Sequence, residues 1–202
     1  MSSPTTRPSL LIRIADPKDS AAWAEFVELY EPILIRVAKS KGLQPNDANE
    51  LAQEVLITVM SSISRFEISP RVGSFRRWLA TITTNKVQDH FRASKRASLA
   101  KFGSRMEWST LEDGSLEDIN ESLEIQWRHQ MLARAVEAVR DTVQHETWRA
   151  FWRTSIDMVP VEQVANELNT SVGNIYVARS RLIAKLRKWV QENSSDFLED
   201  PS

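Results

Sequence analysis

Apolar side chains recur at helical spacing along most of the chain, and this periodicity is the feature that most limits its fold. The clearest example, at 161–187, reads VEQVANELNTSVGNIYVARSRLIAKLR. A first apolar series has the i, i+3, i+4, i+7 spacing of one helix face: Val161, Val164, Ala165 and Leu168. Asn169 tolerates the left-handed backbone of a helix end, and Ser171 is suited to cap a second helix that carries Ile175. The stretch therefore predicts a helix-turn-helix.

The same periodicity predicts helices over most of the remaining chain, at 19–40, 48–60, 74–91, 123–139 and 144–153. No segment alternates as a strand would, so we predict an all-α fold of two helical domains. The first domain is expected at 16–96 and the second at 123–191. Residues 97–122 are acidic, contain glycine and serine, and have weak periodicity, which predicts a flexible linker.

Composition excludes several classes of protein. The 202 residues are 42% hydrophobic, enough to bury a core, but include no cysteine. Disulfide bonds, thiolate catalysis and cysteine-bound zinc are therefore excluded. No run of about 18 apolar residues exists to span a bilayer, and the apolar part of the N-terminal segment is too short for a signal peptide. We expect a cytoplasmic protein without membrane insertion.

Charge is distributed unevenly, although the formal net charge is only −1. Residues 65–105 carry ten Lys or Arg against two acids, whereas residues 106–124 carry seven acids and no base. Residues 176–188 carry five bases and no acid. Two basic segments on predicted helices, each with aromatic neighbours, favour a nucleic-acid partner over an ordinary solvated surface.

Carboxylates on one predicted helix raise the question of a metal site. Asp47, Glu50 and Glu54 lie at i, i+3 and i+7, a spacing found among carboxylate ligands in helix bundles. Such di-metal sites need Glu-x-x-His motifs, and neither glutamate has a histidine three residues on. No phosphate-binding glycine loop or GxSxG turn is present either. We therefore predict a protein that is not an enzyme and has no metal and no cofactor; a carboxylate metalloenzyme is the weakest alternative.

Three strings together resemble one protein family. WAEFVELYEPIL is followed by GLQPNDANELAQEVLITVM and then by RFEISPRVGSFRRWLATITTNKVQDHFR. This order resembles the promoter-melting domain of bacterial sigma factors, and the helix-turn-helix resembles their upstream-element domain. The presence of only these two domains is similar to the compact extracytoplasmic-function group. The opening RPSLLIRIADPKDSAAW is similar to a planctomycete-type subgroup.

The resemblance implies an initiation factor that binds core RNA polymerase and directs it to promoter DNA. In the family, one helix docks on the clamp helices of the beta-prime subunit. The matching positions here are Asp47, Glu50, Leu51, Gln53, Glu54 and Val55. An acidic and amide face suits a basic partner helix, with Leu51 and Val55 packing beneath that face. The resemblance also implies contact with the beta flap of the polymerase, and an anti-sigma factor as a further partner.

The family's loop before GSFR captures a flipped base of the minus-ten element. The residues expected to contact this DNA are Phe66, Arg71, Ser74, Phe75, Arg76, Arg77, Asn85, Lys86 and Arg92, with Lys95 and Arg96 as further phosphate contacts. The cations would bind phosphates, and Asn85 offers a paired donor and acceptor to a base edge. Aromatic contacts can offset the cost of unstacking a base. Trp78, on the same helix, is expected in the core.

The second helix of the helix-turn-helix is expected to face the major groove of the minus-thirty-five element. The residues assigned to this contact are Ser171, Asn174, Tyr176, Val177, Ser180, Arg181 and Lys185. The family usually reads close to S-x-G-T-V-[KR]-S-R here, and this chain departs from it at positions 174 and 176–178, so the promoter sequence is left open. A helix-turn-helix regulator acting without polymerase is the main alternative, and it would need a dimer face and a palindromic site.

Overall fold

The computed structural model describes residues 8–67, 74–102 and 115–193. Its elements are α1 (Pro8–Ile14), α2 (Ser20–Ser40), α3 (Pro45–Ser62), a 3₁₀ turn (Ile63–Arg65), α4 (Ser74–Phe102), α5 (Leu116–Arg140), α6 (His145–Ser155), α7 (Val161–Glu167) and α8 (Val172–Asn193). These ranges contain no strand, so the predicted all-α class is confirmed. The chain divides into two compact units, Met1–Gln130 and Met131–Ser202.

The core of the first unit is built around α2. The Asp19 carboxylate caps this helix by accepting the N–H of Ala22 at 2.8 Å. One face of α2 is buried: Ala22, Phe26, Leu29, Tyr30, Ile33, Leu34, Val37 and Ala38. α3 packs against α2 and buries its own stripe: Ala48, Leu51, Ala52, Val55, Leu56 and Val59. The helices predicted at 19–40 and 48–60 are thus confirmed, and α3 starts earlier because Pro45 suits a first helical turn.

A short N-terminal helix completes the first unit, and the periodicity analysis did not predict it. α1 buries Leu10, Leu11 and Ile14 and packs on α2. Arg13 bridges the start of α2 by donating to Asp19 at 2.9 Å and to Glu25 at 3.0 Å. The hydrogen bond from Arg13 lowers the pKa of the Asp19 carboxyl.

The predicted flexible linker at 97–122 differs from the structure at both ends. α4 continues to Phe102, and α5 already begins at Leu116. Ser115 and Asp118 cap α5 reciprocally, each backbone N–H donating to the other's side chain at 3.2 Å. The many acids hid the apolar spacing, but acids in a first turn stabilise a helix N-terminus. Residues 103–114 lie outside the described ranges.

The first half of α5 belongs to the first unit. Ile119, Leu123 and Trp127 are spaced by one helical turn and are almost fully buried. Arg36 of α2 donates to the amide oxygens of Gln126 and Gln130, both at 2.8 Å. The pKa of Arg36 is lowered by its burial. These contacts hold residues 116–130 against the helical core that was predicted to end at residue 96.

The second unit contains the rest of α5 with α6, α7 and α8. One core cluster joins α5, α6 and α8 through Ala135, Val139, Phe151, Leu182 and Leu186. A second cluster joins α6, α7 and α8 through Ala150, Val164, Ala165 and Ile175. The predicted helix-turn-helix is confirmed by α7 and α8, with both helices anchored on α6.

We expect Trp127→Ala to lower the free energy of unfolding by about 3–5 kcal/mol, because it leaves a large cavity where α5 packs on the first unit. Urea unfolding followed by far-UV circular dichroism measures the change. Ile125→Ala, at an exposed position of the same helix, is the matched control and should cost less than about 1 kcal/mol. Equal losses in the two variants would contradict the packing of residues 116–130 on the first unit.

Candidate functional site

The outward face of α3 carries both polar and apolar side chains. Glu50 and Gln53 are exposed, as are Ile57 and Met60, which are 60% and 56% accessible to solvent. These four residues lie at i, i+3, i+7 and i+10 and therefore share one side of the helix. Neither Ile57 nor Met60 is among the docking residues that the sequence predicts. Large apolar side chains next to exposed polar ones are typical of a protein-binding surface.

Two residues assigned to polymerase docking are not available for contact. Leu51 and Val55 are buried in the core between α3 and its neighbours. They pack beneath the acidic and amide face, as expected, so any part they take in docking is indirect. They act by fixing α3 in the orientation that presents Glu50 and Gln53.

The other two docking carboxylates turn towards α4. Glu54 pairs with Lys86 at 3.1 Å, and Asp47 lies 3.8 Å from His90, an ion pair only when the imidazole is protonated. Lys86 was assigned to minus-ten DNA and Glu54 to polymerase, so the structure places the two predicted surfaces side by side. The side chains are 30–50% accessible, so such pairs contribute little to stability and leave both charges accessible.

An aromatic cluster lies where α4 begins. Phe75 is buried against Phe26 and Tyr30, with ring centroids 5.8 and 5.6 Å apart. It is therefore a core residue, and its expected DNA contact is corrected. Phe66 and Trp78 are half-buried and lie 5.0 Å apart, so Trp78 is less enclosed than expected. Their partly open rings can accept a base, whereas the ring of Phe75 cannot.

Arg76 is the largest departure from the expected DNA surface, because it is only 4% accessible. Its Nε donates to Oε1 of Glu124, and its guanidinium carbon lies 4.3 Å from the ring centroid of Trp127. A buried guanidinium held by a carboxylate and an aromatic face cannot bind phosphate. The expected contact of Arg76 with DNA is therefore wrong, and its role is to join α4 to α5.

The remaining residues assigned to minus-ten DNA leave an exposed cationic side on α4. Arg77, Asn85 and Arg92 are exposed, as are Lys95 and Arg96 beyond them. Arg92 makes surface contacts with its own helix, a pair with Asp89 at 3.3 Å and a hydrogen bond to Gln88 at 3.4 Å. Ser74 is the first residue of α4 and is half-buried. Arg71 lies outside the described residues, so its assignment stays a prediction.

The turn between α7 and α8 has the geometry that its sequence indicates. Asn169 has a φ of 49°, the left-handed conformation predicted for it. The hydroxyl of Ser171 accepts the backbone N–H of Asn174 at 3.2 Å, as expected of a helix cap. Ser171 is thus occupied in capping, and the Asn174 side chain donates to Thr170 Oγ1 at 3.0 Å.

The outward side of α8 carries the other residues assigned to minus-thirty-five DNA. Tyr176, Val177, Ser180 and Arg181 are all exposed, opposite the buried Ile175, Leu182 and Leu186. Lys185 is also exposed, but its ammonium group donates to the carbonyl of Thr142 at 3.1 Å. That contact ties α8 to the turn after α5, so Lys185 is the least available of the set.

A network of ion pairs fixes α7 relative to α6. Arg153 donates to Glu167 at 3.1 Å and to Asp157 at 3.4 Å, and Gln163 donates to Glu167 at 3.0 Å. The hydrogen bond from Arg153 and then that from Gln163 lower the pKa of the Glu167 carboxyl. The hydrogen bond to Glu167, with a smaller contribution from Asp157, raises the pKa of Arg153. The network therefore helps to orient the first helix of the helix-turn-helix.

Across 8–67, 74–102 and 115–193, no three His, Asp or Glu side chains are grouped to hold a metal ion. Among those same residues, no helix combines the length and apolar character needed to cross a membrane.

The chain is similar in sequence to known proteins of one class. Residues 26–97 match the family described as sigma-70 region 2. The ECF RNA polymerase sigma factor SigE of Mycolicibacterium smegmatis is 24% identical over 175 residues, which cover 87% of this chain. The chain spans 64% of the length of that relative. A solved structure of CnrH in complex with the cytosolic domain of CnrY is 20% identical, covering 92% of this chain and 97% of the other, with a TM-score of 0.36.

The match to sigma-70 region 2 lies within the first unit, and its range includes α3 and most of α4. With the similarity to SigE, the predicted resemblance to the extracytoplasmic-function sigma factors is confirmed. The planctomycete-type subgroup stays a prediction.

We expect the stability of the second unit to depend on pH through Glu167. Because its pKa is lowered in the folded state from an ordinary value of 4.5, its stabilising contact is present above that pH and is lost as pH falls through the folded pKa. Thermal melts between about pH 5 and pH 3 should therefore show a steeper loss of stability in the wild type than in Glu167→Gln. Glu162→Gln, outside this network on the same helix, should follow the wild type. Identical pH profiles for the wild type and Glu167→Gln would contradict the assignment.

Proposed function

We propose that the chain is a sigma factor that binds core RNA polymerase and directs it to promoters, without catalysing a reaction itself. The region 2 match and the similarity to SigE support this class of function. Transcription takes place in the bacterial cytoplasm, which is where the protein would act. The resemblance further implies contact of the second unit with the beta flap and control by an anti-sigma factor.

The outward face of α3 is the observation that carries the proposal. It lies within the matched region 2 range and presents Glu50 and Gln53 together with Ile57 and Met60. A partner with basic and apolar groups, such as the clamp helices of the beta-prime subunit, would complement both kinds of side chain. Charge complementarity would speed the encounter, and burial of the apolar groups would slow dissociation.

DNA contact is proposed for one surface on each unit. On α4, the exposed Arg77 and Arg92 would hold phosphates of the minus-ten region, and Phe66 with Trp78 would contact an unstacked base. On α8, the exposed side from Tyr176 to Arg181 would enter the major groove of the minus-thirty-five element. Each surface is small, so binding of a whole promoter would require both units held on one polymerase.

Core polymerase binding tests the proposed docking face. We expect the double variant Glu50→Lys, Ile57→Ser to lose co-elution with core RNA polymerase, because it reverses a charge and removes an apolar contact at exposed positions. Both changes avoid the pairs that Glu54 and Asp47 make with α4. The free energy of unfolding should therefore stay within about 1 kcal/mol of that of the wild type.

The matched control also changes one exposed carboxylate to lysine and one exposed isoleucine to serine, elsewhere on the first unit. Ile12 is 62% accessible on α1, and Asp89 is exposed on α4. Ile12→Ser, Asp89→Lys should therefore co-elute with polymerase as the wild type does. Full retention of binding by Glu50→Lys, Ile57→Ser would remove α3 as the docking helix, and failure of the wild type to bind polymerase would contradict the proposed function.

Alanine variants of Arg76 and Arg77 should distinguish a residue with a structural role from one that contacts DNA. In the polymerase complex, Arg77→Ala should reduce the slope of log affinity against log salt by about 1, because one phosphate contact is lost. Its melting temperature should be unchanged, since the side chain is exposed. Arg76→Ala should instead lower the melting temperature of the free protein, because Glu124 and Trp127 lose their partner. The reverse pattern would contradict the assignment of Arg76 to the core.

A further inference from the structure

We infer that α8 recognises the 5-methyl groups of thymine in the minus-thirty-five element, through Tyr176 and Val177. The inference rests on the proposed function, because it concerns the DNA that α8 is proposed to bind. It goes further by naming the chemical group that is read and the side chains that read it.

The first two turns of α8 expose apolar side chains side by side. Tyr176 and Val177 are 53% and 46% accessible to solvent, whereas the preceding residue of α8, Ile175, is buried against α6 and α7. Neighbouring exposed aromatic and β-branched residues on a helix indicate a surface that is covered when the protein acts. The solvent side of the N-terminal half of α8 is therefore suited to an apolar target.

The second half of α8 is cationic. Arg181, Arg187 and Lys188 follow the apolar pair within three turns and are exposed, and Lys185 among them is exposed but donates to the Thr142 carbonyl. A target that satisfies both halves must be anionic and must also present apolar groups at the same surface. Duplex DNA does so in its major groove, where phosphates line the edges and the thymine methyl group projects from the base.

The polar groups at the start of α8 are already engaged. The amide nitrogen of Asn174 donates to Thr170 and the hydroxyl of Ser171 caps the helix. That contact holds the Asn174 amide in place, while its second N–H and its oxygen can still meet a base edge. Beside this amide, Tyr176 and Val177 present the most exposed apolar surface at the start of α8 to a base edge.

Gly173 allows a close approach on the same side of the helix. A Cβ added at this position would meet no atom closer than the Ser171 hydroxyl, at 3.8 Å. Packing within the protein therefore does not require glycine here. The missing side chain instead lets the backbone near Tyr176 and Val177 come close to base edges in the groove.

The experiment uses the full chain bound to core polymerase. Promoter duplexes with a randomised minus-thirty-five segment are selected by this complex, and thymines in the selected sequences are then replaced one at a time by deoxyuridine. This replacement removes only the methyl group and keeps every base-pair hydrogen bond. At the positions read by α8 we expect an affinity loss of about fourfold for each buried methyl group.

Variants connect the methyl effect to the two side chains. For each of Tyr176→Ala and Val177→Ala, there should be one promoter position at which thymine and deoxyuridine are bound with equal affinity. Tyr176→Phe should keep the higher affinity for thymine. Arg187→Ala, the control, should weaken binding to both duplexes by the same factor, because it is exposed on the cationic half of α8. All of these positions are exposed, so melting temperatures should stay close to that of the wild type.

The outcomes separate the inference from the proposed function. If the polymerase complex binds selected promoters but no deoxyuridine replacement weakens it, the reading of thymine methyl groups is overturned and the proposed function stands. The inference is also overturned, and the proposed function also stands, if Tyr176 and Val177 are needed only for binding another protein. If the chain gives no polymerase-dependent promoter binding at all, the proposed function is overturned and this inference with it.

Discussion

The buried guanidinium of Arg76 is the contact on which the arrangement of the first unit depends. Removing a cation from water is costly unless it is paired, and here the Glu124 carboxylate and the face of Trp127 supply the compensation. Because these partners lie on α5, the contact brings residues 116–130 into the first unit and completes its core beside α2 and α4. It also determines which cations of α4 stay in water, since Arg77 points outward while its neighbour does not.

Each candidate binding surface consists of side chains that the core leaves uncovered. On α3 the buried Leu51 and Val55 fix the helix, and the opposite side presents Glu50, Gln53 and Ile57. On α8 the buried Ile175 and Leu182 do the same for Tyr176 and Val177. A single helix thus supplies both stability and recognition, and substitutions on its two sides should have separable effects on folding and on binding.

The sequence predicted the helices with a clean apolar stripe and missed those without one. α2, α3 and the α7–α8 pair follow the 3.6-residue period closely, and Asn169 and Ser171 adopt the roles that their chemistry favours. α1 has only seven residues, too few for its period to stand out. The start of α5 was hidden by its acids, although the Ser115 and Asp118 pair is a capping signal that could have revealed it.

The candidate sites were predictable by position but not by exposure. Spacing identified α3, α4 and α8 as the functional helices, yet it could not show that Arg76 is buried, because its partners lie about fifty residues away in the chain. It also could not show that Ile57 and Met60 are uncovered, since an apolar residue on a helix is more often core. Which side of a helix is free is decided by tertiary contacts, and local sequence does not record them.

The central claim is that two small DNA-binding surfaces recognise a promoter only when polymerase holds them together. The most direct measurement compares the affinity of a labelled, selected promoter duplex for the free protein, for core polymerase and for the two combined, at one salt concentration. We expect weak binding to the first two and tight, sequence-specific binding to the combination. Tight, specific binding by the free protein alone would contradict the account.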